Sequence, residues 1–493
     1  MVAGGPAGSA ASAGAPAGRR RVLVATDDVL TERLAGPAIR AWHIAGALAA
    51  THEVVLATTS GTCALRSEAF ATEAADGARF AELERWCDVA LVQGYLLHKV
   101  PGLRHSDRVL AFDLYDPLHL EALELTRGLP EPERSLHVGN SVGTVEEQLV
   151  RGDGFFCASE RQRDFWLGFL ASVGRVNPDT YGEDPTLRRL VDVVPFGLPD
   201  EPPVHTGAAL RGVVPGIAAG DEVVVWGGGV YDWFDPVTLV RAVERLRRAR
   251  PRLRVVFMGM RHPKPDVAES AVAVEARRLA AELGLSGTHV FFNEGWVPYD
   301  ERQNHLLEAD LAVSLHHVTV ETRFSFRTRV LDYLWAGLPM VLTTGDGFAE
   351  LVRDEGLGRV VPAGDADAVA DALGELLDDG PGRAAMARRV AAVAPRFRWS
   401  VALAPVVAFC ADARRAPDDP QWRPPTPRPA GGPAAPDNAP TTLGPDREPG
   451  WRRDLRRVRA LYLDGGVRAV ARDTRRWLRQ RLVRVVRARS RSG

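Results

Sequence analysis

The densest group of residues suited to chemistry is Glu321-Thr-Arg-Phe-Ser-Phe-Arg-Thr-Arg-Val-Leu-Asp-Tyr-Leu-Trp-Ala-Gly-Leu-Pro339. Ser325, Arg327, Thr328 and Arg329 form a polar loop, and the short helical pattern behind them stops at Gly337-Leu-Pro339. Free N–H groups at a helix start attract anions, and arginine forks add charge-assisted hydrogen bonds. A diphosphate fits that combination. Asp332, near the start of the helix, is placed to accept hydrogen bonds from ribose hydroxyls. The competing reading is a surface loop with solvated arginines and an aspartate that merely suits a helix N-terminus.

Three further stretches carry candidates. In Trp226-Gly-Gly-Gly-Val-Tyr-Asp-Trp-Phe-Asp-Pro236 the glycines follow an apolar run, so Gly228 and Gly229 let the backbone approach a ligand. Asp235-Pro236 reads as a helix cap followed by proline in the first turn. Trp226, Tyr231 and Trp233 are either core or a platform for a sugar or base, and Trp296 joins the donor-contacting candidates. In Leu34-Ala-Gly-Pro-Ala-Ile-Arg40, Gly36 opens the chain toward a ligand and Arg40 is within reach of a phosphate; a plain loop glycine is the alternative. In Asp113-Leu-Tyr-Asp-Pro-Leu-His119, Asp116-Pro117 again looks like a cap. Asp113 and His119 remain for acceptor-hydroxyl binding or proton transfer, against a packing role for the histidine. His316-His317 is a weaker pair, and neither site shows metal-ligand spacing.

The elements that position these residues alternate. Short apolar runs at 21–26, 53–58, 89–92, 109–112, 154–157 and 191–194 predict buried strands, with helical patterns such as 37–50 and 160–171 between them. After a Pro/Gly-rich stretch at 196–203 the alternation restarts, with strands at 222–226, 253–258, 289–292, 311–315, 340–343 and 358–361. Helical patterns at 236–248, 268–283, 330–336 and 365–377 separate them. Strand–helix–strand repeats imply parallel sheets. The fold class is therefore α/β, two doubly wound Rossmann-like domains facing across a cleft. Ligands of such folds sit outside the carboxyl ends of the strands.

The 493 residues exceed what one hydrophobic core serves, and 45% hydrophobic with 25% charged residues suits a globular chain. Four scattered cysteines argue against a disulfide framework or zinc site and for a reducing compartment. No apolar run is long enough to cross a membrane, and residues 1–19 read as a disordered leader, not an export signal. The expected location is cytoplasmic. Beyond 415 a Pro-rich linker (416–450) leads to a basic amphipathic tail (451–493) with 15 Arg against 3 Asp. That tail suits an anionic membrane surface, with a solvated or nucleic-acid-binding tail as the alternative; no specific nucleic acid is expected.

Over roughly Arg20 to Arg415 the chain resembles the GT-B glycosyltransferases, especially the family 4-like branch. Val330-Leu-Asp-Tyr-Leu-Trp-Ala-Gly-Leu-Pro-Met-Val341 is similar to that family's Leu-Glu-Ala-Met-Ala-x-Gly-x-Pro-Val-Val. Val193-Val-Pro-Phe-Gly-Leu-Pro-Asp200 is similar to its interdomain segment, and Gly152-Asp-Gly-Phe-Phe-Cys-Ala-Ser-Glu160 to the strand and turn closing the first domain. Phe397-Arg-Trp399 resembles the start of its terminal segment, 397–415, which crosses back to the first domain. The resemblance implies an acceptor domain over 20–200, a nucleotide-sugar domain over 201–396, and transfer of a sugar from a nucleotide diphosphate sugar to a hydroxyl acceptor. It also implies retention at the anomeric carbon, no essential metal and no cofactor beyond the donor itself. With the basic tail, a polyprenyl-linked acceptor and peripheral membrane contact are expected. Alternatives are a GT-B nucleotide-sugar epimerase or a non-catalytic nucleotide-sugar-binding protein.

The sequence also departs from that family. Its paired glutamates fall on Phe324 and Asp332; Asp332 keeps the ribose role, and the sugar hydroxyls pass to Glu321 or another group. Its Arg and Lys pair is absent after the second domain's first strand, so Arg327 and Arg329 are expected to supply the charge. Its His-Asp pair appears as Phe112-Asp113.

Overall fold

The computed structural model describes residues 19–419 except 263–266 and 268. The leader through residue 18, the linker from 420 onward and the basic tail lie outside the described residues.

The first sheet has seven strands, β1 (Arg21–Thr26), β2 (Glu53–Thr58), β3 (Ala71–Ala74), β4 (Val89–Gln93), β5 (Val109–Asp113), β6 (Gly154–Cys157) and β7 (Val191–Val193). The second has six, β8 (Glu222–Trp226), β9 (Leu253–Phe257), β10 (Val290–Phe292), β11 (Leu311–Ser314), β12 (Met340–Thr343) and β13 (Gly358–Val361). The strand orders are β3-β2-β1-β4-β5-β6-β7 and β10-β9-β8-β11-β12-β13, with every pairing parallel. Parallel strands carry helices on both faces, which is why β1 and β4 read as unbroken apolar runs and are buried along their length. Each sheet reverses its winding beside its first strand, between β1 and β4 and between β8 and β11. Those two switch points open crevices at the strands' carboxyl ends.

The helices that bear on the site are α1 (Gly36–Ala49), α2 (Leu118–Leu125), α3 (Glu133–Arg151), α4 (Glu160–Ser172), α5 (Val320–Phe324), α6 (Arg329–Trp335) and α7 (Ala404–Ala411). Two elements carry little sequence signal. β3 is a four-residue edge strand with no buried position. α3 buries Ser141, Thr144, Glu147 and Gln148 beside only two large apolar residues, Val145 and Leu149, so hydrophobic periodicity marks it weakly. Glu321 lies in α5, a helical turn capped by Thr319, and not in the open loop expected there.

Two stretches of chain join the halves. Leu198 and the 397–399 segment exchange backbone hydrogen bonds, Leu198 N to Phe397 O at 2.8 Å and Trp399 N to Leu198 O at 2.9 Å. The Trp399 ring packs over Gly197, where a Cβ would come within 2.4 Å of it. Beyond this crossing, Phe409 of α7 packs edge-on against Phe156 at 5.4 Å, and Gly154 leaves room for its ring. The packing runs past Arg415, the limit drawn from sequence. Ala416 is buried, and Asp418 receives both a 2.7 Å and a 3.1 Å bond from Arg175.

Candidate functional site

Between the two sheets lies a cleft of about 360 Å³, within the range of small-molecule sites. Its wall includes Gly36, Gly228, Gly229, Trp296, Glu321, Ser325, Arg327, Thr328, Arg329 and Asp332. Arg40, Asp113 and His119 do not line it.

The second-domain wall is built at the carboxyl ends of β8 and β11. Gly228 turns the chain with φ +67°, a conformation that suits glycine. A Cβ on Gly229 would meet Tyr231 at 2.9 Å and Trp296 at 3.0 Å, so glycine keeps those rings against the backbone. Tyr231 and Trp233 stack at 5.0 Å and both line the cleft, whereas Trp226 is wholly buried beneath them. Trp296 also ties the domains together, its Nε1 donating to Leu34 O at 3.2 Å.

Arg327 and Arg329 come to this wall by different routes. Arg327 is buried and gives a bidentate pair to Glu321, at 3.0 and 2.7 Å. Glu321 therefore neutralises Arg327 and is not free for sugar hydroxyls as expected. Arg329, the first residue of α6, donates to Gly229 O at 2.5 Å and lies over Phe234 at 3.8 Å. Burial lowers its pKa to about 10, which leaves it charged at neutral pH. Two donors on this wall, Arg327 Nε and Arg329 Nη1, are buried without a hydrogen-bond partner. Thr328 stands at the capping position of α6 but makes no side-chain cap, and Ser325 Oγ donates to Thr322 O at 3.0 Å. Asp332 accepts from Arg302 Nε at 3.0 Å, and Arg302 is itself sandwiched over Tyr299 at 3.7 Å and Trp335 at 4.6 Å. Sequence reasoning missed Arg302, which lies 30 residues before the carboxylate it orients. Phe324, at the family's first glutamate position, packs on Phe165 at 4.6 Å across the domain boundary.

The first-domain candidates are corrected by their surroundings. Arg40 is wholly buried on α1 and grips Asp113 through Nε at 2.6 Å and Nη2 at 2.9 Å, with further bonds to Val194 O and Pro195 O. It faces no phosphate-sized space, and Asp113 is a neutralised partner instead of a free proton acceptor. His119 is stacked on Phe165 at 5.5 Å and flanked by Trp166 and Phe169. Burial drops its pKa to about 4, so it stays neutral inside an aromatic cage and lines no pocket described here. His316 pairs with Asp346 at 3.4 Å, also away from the cleft wall.

The acidic groups that do reach the cleft are Asp116 and Glu121. Pro117, not Asp116, occupies the capping position of α2, and no side chain caps that helix. By exposed area the Asp116 carboxylate is only half-buried, yet it sits between the two domain walls. That burial lifts its pKa to about 7, opposed by a hydrogen bond from Tyr115 and reinforced by Asp113. Glu121 is likewise pushed up by burial, with the charges of Asp116 and Glu321 adding to it. Their position just past β5 was the available signal, and the Asp-Pro cap pattern masked it. Asp365-Ala-Asp367, the sequence's Asp-x-Asp, lies off the cleft wall. Asp365 caps a helix through Ala368 N at 2.9 Å, and Asp367 pairs with Arg245.

Residues 221–379 match the family model described as glycosyl transferases group 1. A D-inositol 3-phosphate glycosyltransferase of Nocardia farcinica is 30% identical over 243 residues, 48% of this chain and 50% of that protein. The chain thus spans about half the length of the curated relatives it matches first. Among solved structures, sucrose-phosphate synthase from Thermosynechococcus elongatus superposes with a TM-score of 0.59 at 16% identity, covering 80% of this chain and 98% of that one. Anabaena Alr3699/HepE in complex with UDP-glucose gives 0.58 at 14% identity, covering 80% and 100%. The family model matches the second domain, and the two parallel sheets have the fold of these solved glycosyltransferase structures.

Proposed function

We propose that the chain transfers a sugar from a nucleotide diphosphate sugar to a hydroxyl acceptor. The observation that carries this reading is the pair of buried, partnerless arginine donors, Arg327 Nε and Arg329 Nη1, on the cleft wall beside Gly228 and Gly229. Buried N–H groups are costly unless a ligand completes them. A diphosphate brings both the charge and the acceptor oxygens. Asp332, held by Arg302, takes the ribose hydroxyls, and the Tyr231–Trp233 stack supplies a flat apolar face for the base or sugar.

In the reaction, the acceptor oxygen bonds to the anomeric carbon as that carbon's bond to the terminal phosphate oxygen breaks. The bonding pair leaves with the diphosphate, which also takes up the hydroxyl proton. Fixed positive charge aimed at the departing group is the main electrostatic aid such a site offers. Retention and metal independence rest on the family resemblance, with Arg329 supplying the countercharge and Arg327, already paired with Glu321, a further hydrogen-bond donor. A lipid-linked acceptor and contact with an anionic membrane rest on the basic tail, where each arginine near such a surface contributes roughly 1 kcal/mol. UDP-glucose in the Anabaena complex and inositol phosphate in the names of the relatives make those compounds the first to try.

The test is a thermal-shift panel of UDP-, GDP- and ADP-sugars on wild type and Arg327→Ala, followed by a nucleoside diphosphate release assay. Stabilisation of wild type alone, with diphosphate released only when an acceptor is added, is expected. No stabilisation by any nucleotide sugar removes the transferase reading. Interconversion of sugars without release favours an epimerase.

A further inference from the structure

Gln162, in the first turn of α4, is wholly buried, and backbone groups satisfy its entire amide. Its Oε1 accepts from Ala158 N at 2.7 Å. Its Nε2 donates to Tyr115 O at 2.8 Å and to Phe324 O at 2.7 Å. An N–H on one side and two carbonyls on the other fix which end of the amide is which.

The two carbonyls stand behind different walls of the cleft. Tyr115 O belongs to the peptide unit that leads into Asp116, and Phe324 O to the one that leads into Ser325. Asp116 and Ser325 both line the cleft, one from each domain, whereas Gln162 does not. Both ends of the bridge are anchored. The Tyr115 ring is buried against the Arg40 guanidinium at 4.9 Å, and Phe324 ends α5, whose Glu321 pairs with Arg327. Beside the amide, Phe165 packs on Phe324, and Arg161 pairs with Glu350 at 2.8 Å; that pair is part-exposed and so a weak tie. Trp296 Nε1 to Leu34 O and Tyr299 N to Glu32 O, at 3.2 and 3.1 Å, join the domains elsewhere, at the connection between β1 and α1. They keep the halves together without Gln162 but hold neither Asp116 nor Ser325.

We propose that Gln162 is a positioning residue for the transfer step: by holding the Tyr115–Asp116 and Phe324–Ser325 peptide units together it sets the spacing at which the acceptor hydroxyl meets the donor's anomeric carbon. The assignment rests on the transferase reading and adds a residue that fixes its geometry without touching either substrate. Donor binding does not depend on it, because Arg327, Arg329 and Asp332 are held within the second domain by Glu321, Gly229 O and Arg302. The rate does, since a misplacement of about 1 Å between reacting groups costs on the order of 100-fold.

Two variants and a control test this in the full chain. Gln162→Met keeps the length of the side chain and removes the amide. Gln162→Glu keeps an acceptor for Ala158 N but turns an oxygen toward the two carbonyls. Ser159→Ala removes the cap of α4, where Ser159 Oγ accepts from Gln162 N at 3.2 Å, and leaves the bridge in place. Without nucleotide or acceptor, hydrogen exchange read by mass spectrometry should be about ten-fold faster at residues 320–325 in both Gln162 variants and unchanged there in Ser159→Ala. This readout is independent of the transferase reading and stands if that reading fails. With a donor and acceptor that support transfer by the wild type, kcat should fall about 10- to 100-fold while the donor Kd stays within about three-fold. Wild-type exchange at 320–325 or wild-type kcat in both Gln162 variants overturns the proposal. So does an equal loss in Ser159→Ala, or a donor Kd that rises in step with the fall in kcat. Failure of both Gln162 variants to fold makes the residue structural and overturns it as well.

Discussion

Arg329→Met separates a ligand-binding arginine from a structural one, because its two effects should differ in kind. In the unliganded protein the substitution removes the 2.5 Å bond to Gly229 O and the ring contacts with Phe234 at 3.8 Å and Trp226 at 4.9 Å. Those losses are about 1.5–3 kcal/mol for the charged hydrogen bond and about 0.5–2 kcal/mol for the ring contacts. Against them stand the relief of the orphaned Nη1, about 1–3 kcal/mol, and the end of desolvating a buried guanidinium. The terms nearly cancel, so stability should change by no more than about 2 kcal/mol, or roughly 4–8 °C in melting temperature. Donor binding has no such compensation. Losing one charge-assisted bond to the diphosphate costs about 1.5–3 kcal/mol, a roughly 10- to 100-fold rise in Kd. At a nucleotide sugar concentration of about 100 times the wild-type Kd, ligand stabilisation of about 2.7 kcal/mol would fall to about 0.9 kcal/mol after a roughly 30-fold loss of affinity. Differential scanning fluorimetry with and without nucleotide sugar reads both quantities in one experiment. A full ligand-induced shift in the variant refutes the donor role. A collapse of the unliganded melting temperature by more than about 12 °C means the residue is structural.

Two other substitutions test what the surroundings of a side chain dictate. His119→Phe should leave the transfer rate within about three-fold of wild type, because the ring is packed among Phe165, Trp166 and Phe169; a loss of 100-fold or more, the scale of general acid–base catalysis, would restore it as a proton-transfer group. Glu308 accepts from the backbone N–H groups of Ala209, Leu210 and Arg211 at 2.9, 2.7 and 2.8 Å, and from His205. Although burial opposes it, these bonds hold its pKa down to about 2. Its stabilisation is therefore full above the ordinary glutamate range, near pH 4.3, and is lost as pH falls toward about 2. Glu308→Gln should be less stable than wild type at pH 7 and less sensitive to acid between about pH 4.5 and 2, as followed by urea denaturation across pH; identical pH profiles would refute this.

The fold was legible because parallel strands are buried on both faces, so β1, β2, β6, β8 and β12 stand out as short apolar runs with the same limits in sequence and structure. The same logic hides β3, whose Ala-Thr-Glu-Ala run has no buried residue, and α3, whose buried face is mostly polar. The site was legible only where residue type follows backbone demand. Gly228 needs its positive φ, and arginines beside a helix start advertise an anion. Pairing is what the sequence conceals. Arg40 and Asp113 lie 73 positions apart and look like two free charged groups until the fold joins them. Glu321 and Arg327, six apart, look like two ligand-binding groups and are one ion pair. Asp116 carries the reverse error, since a cap pattern made it seem structural.

The return of α7 to the first domain has a consequence for how the chain is made. Phe409 occupies the space beside Phe156 that Gly154 leaves open, and Arg175 closes on Asp418, 243 residues later. On a ribosome the amino-terminal half emerges first, but its β6 face stays bare until the whole of the second half has been synthesised. The second half is continuous in sequence and has every strand of its sheet in hand before α7 appears. The half that is translated first is thus completed last, and a nascent chain stalled before Ala404 would present an apolar surface around Phe156 for chaperones to cover.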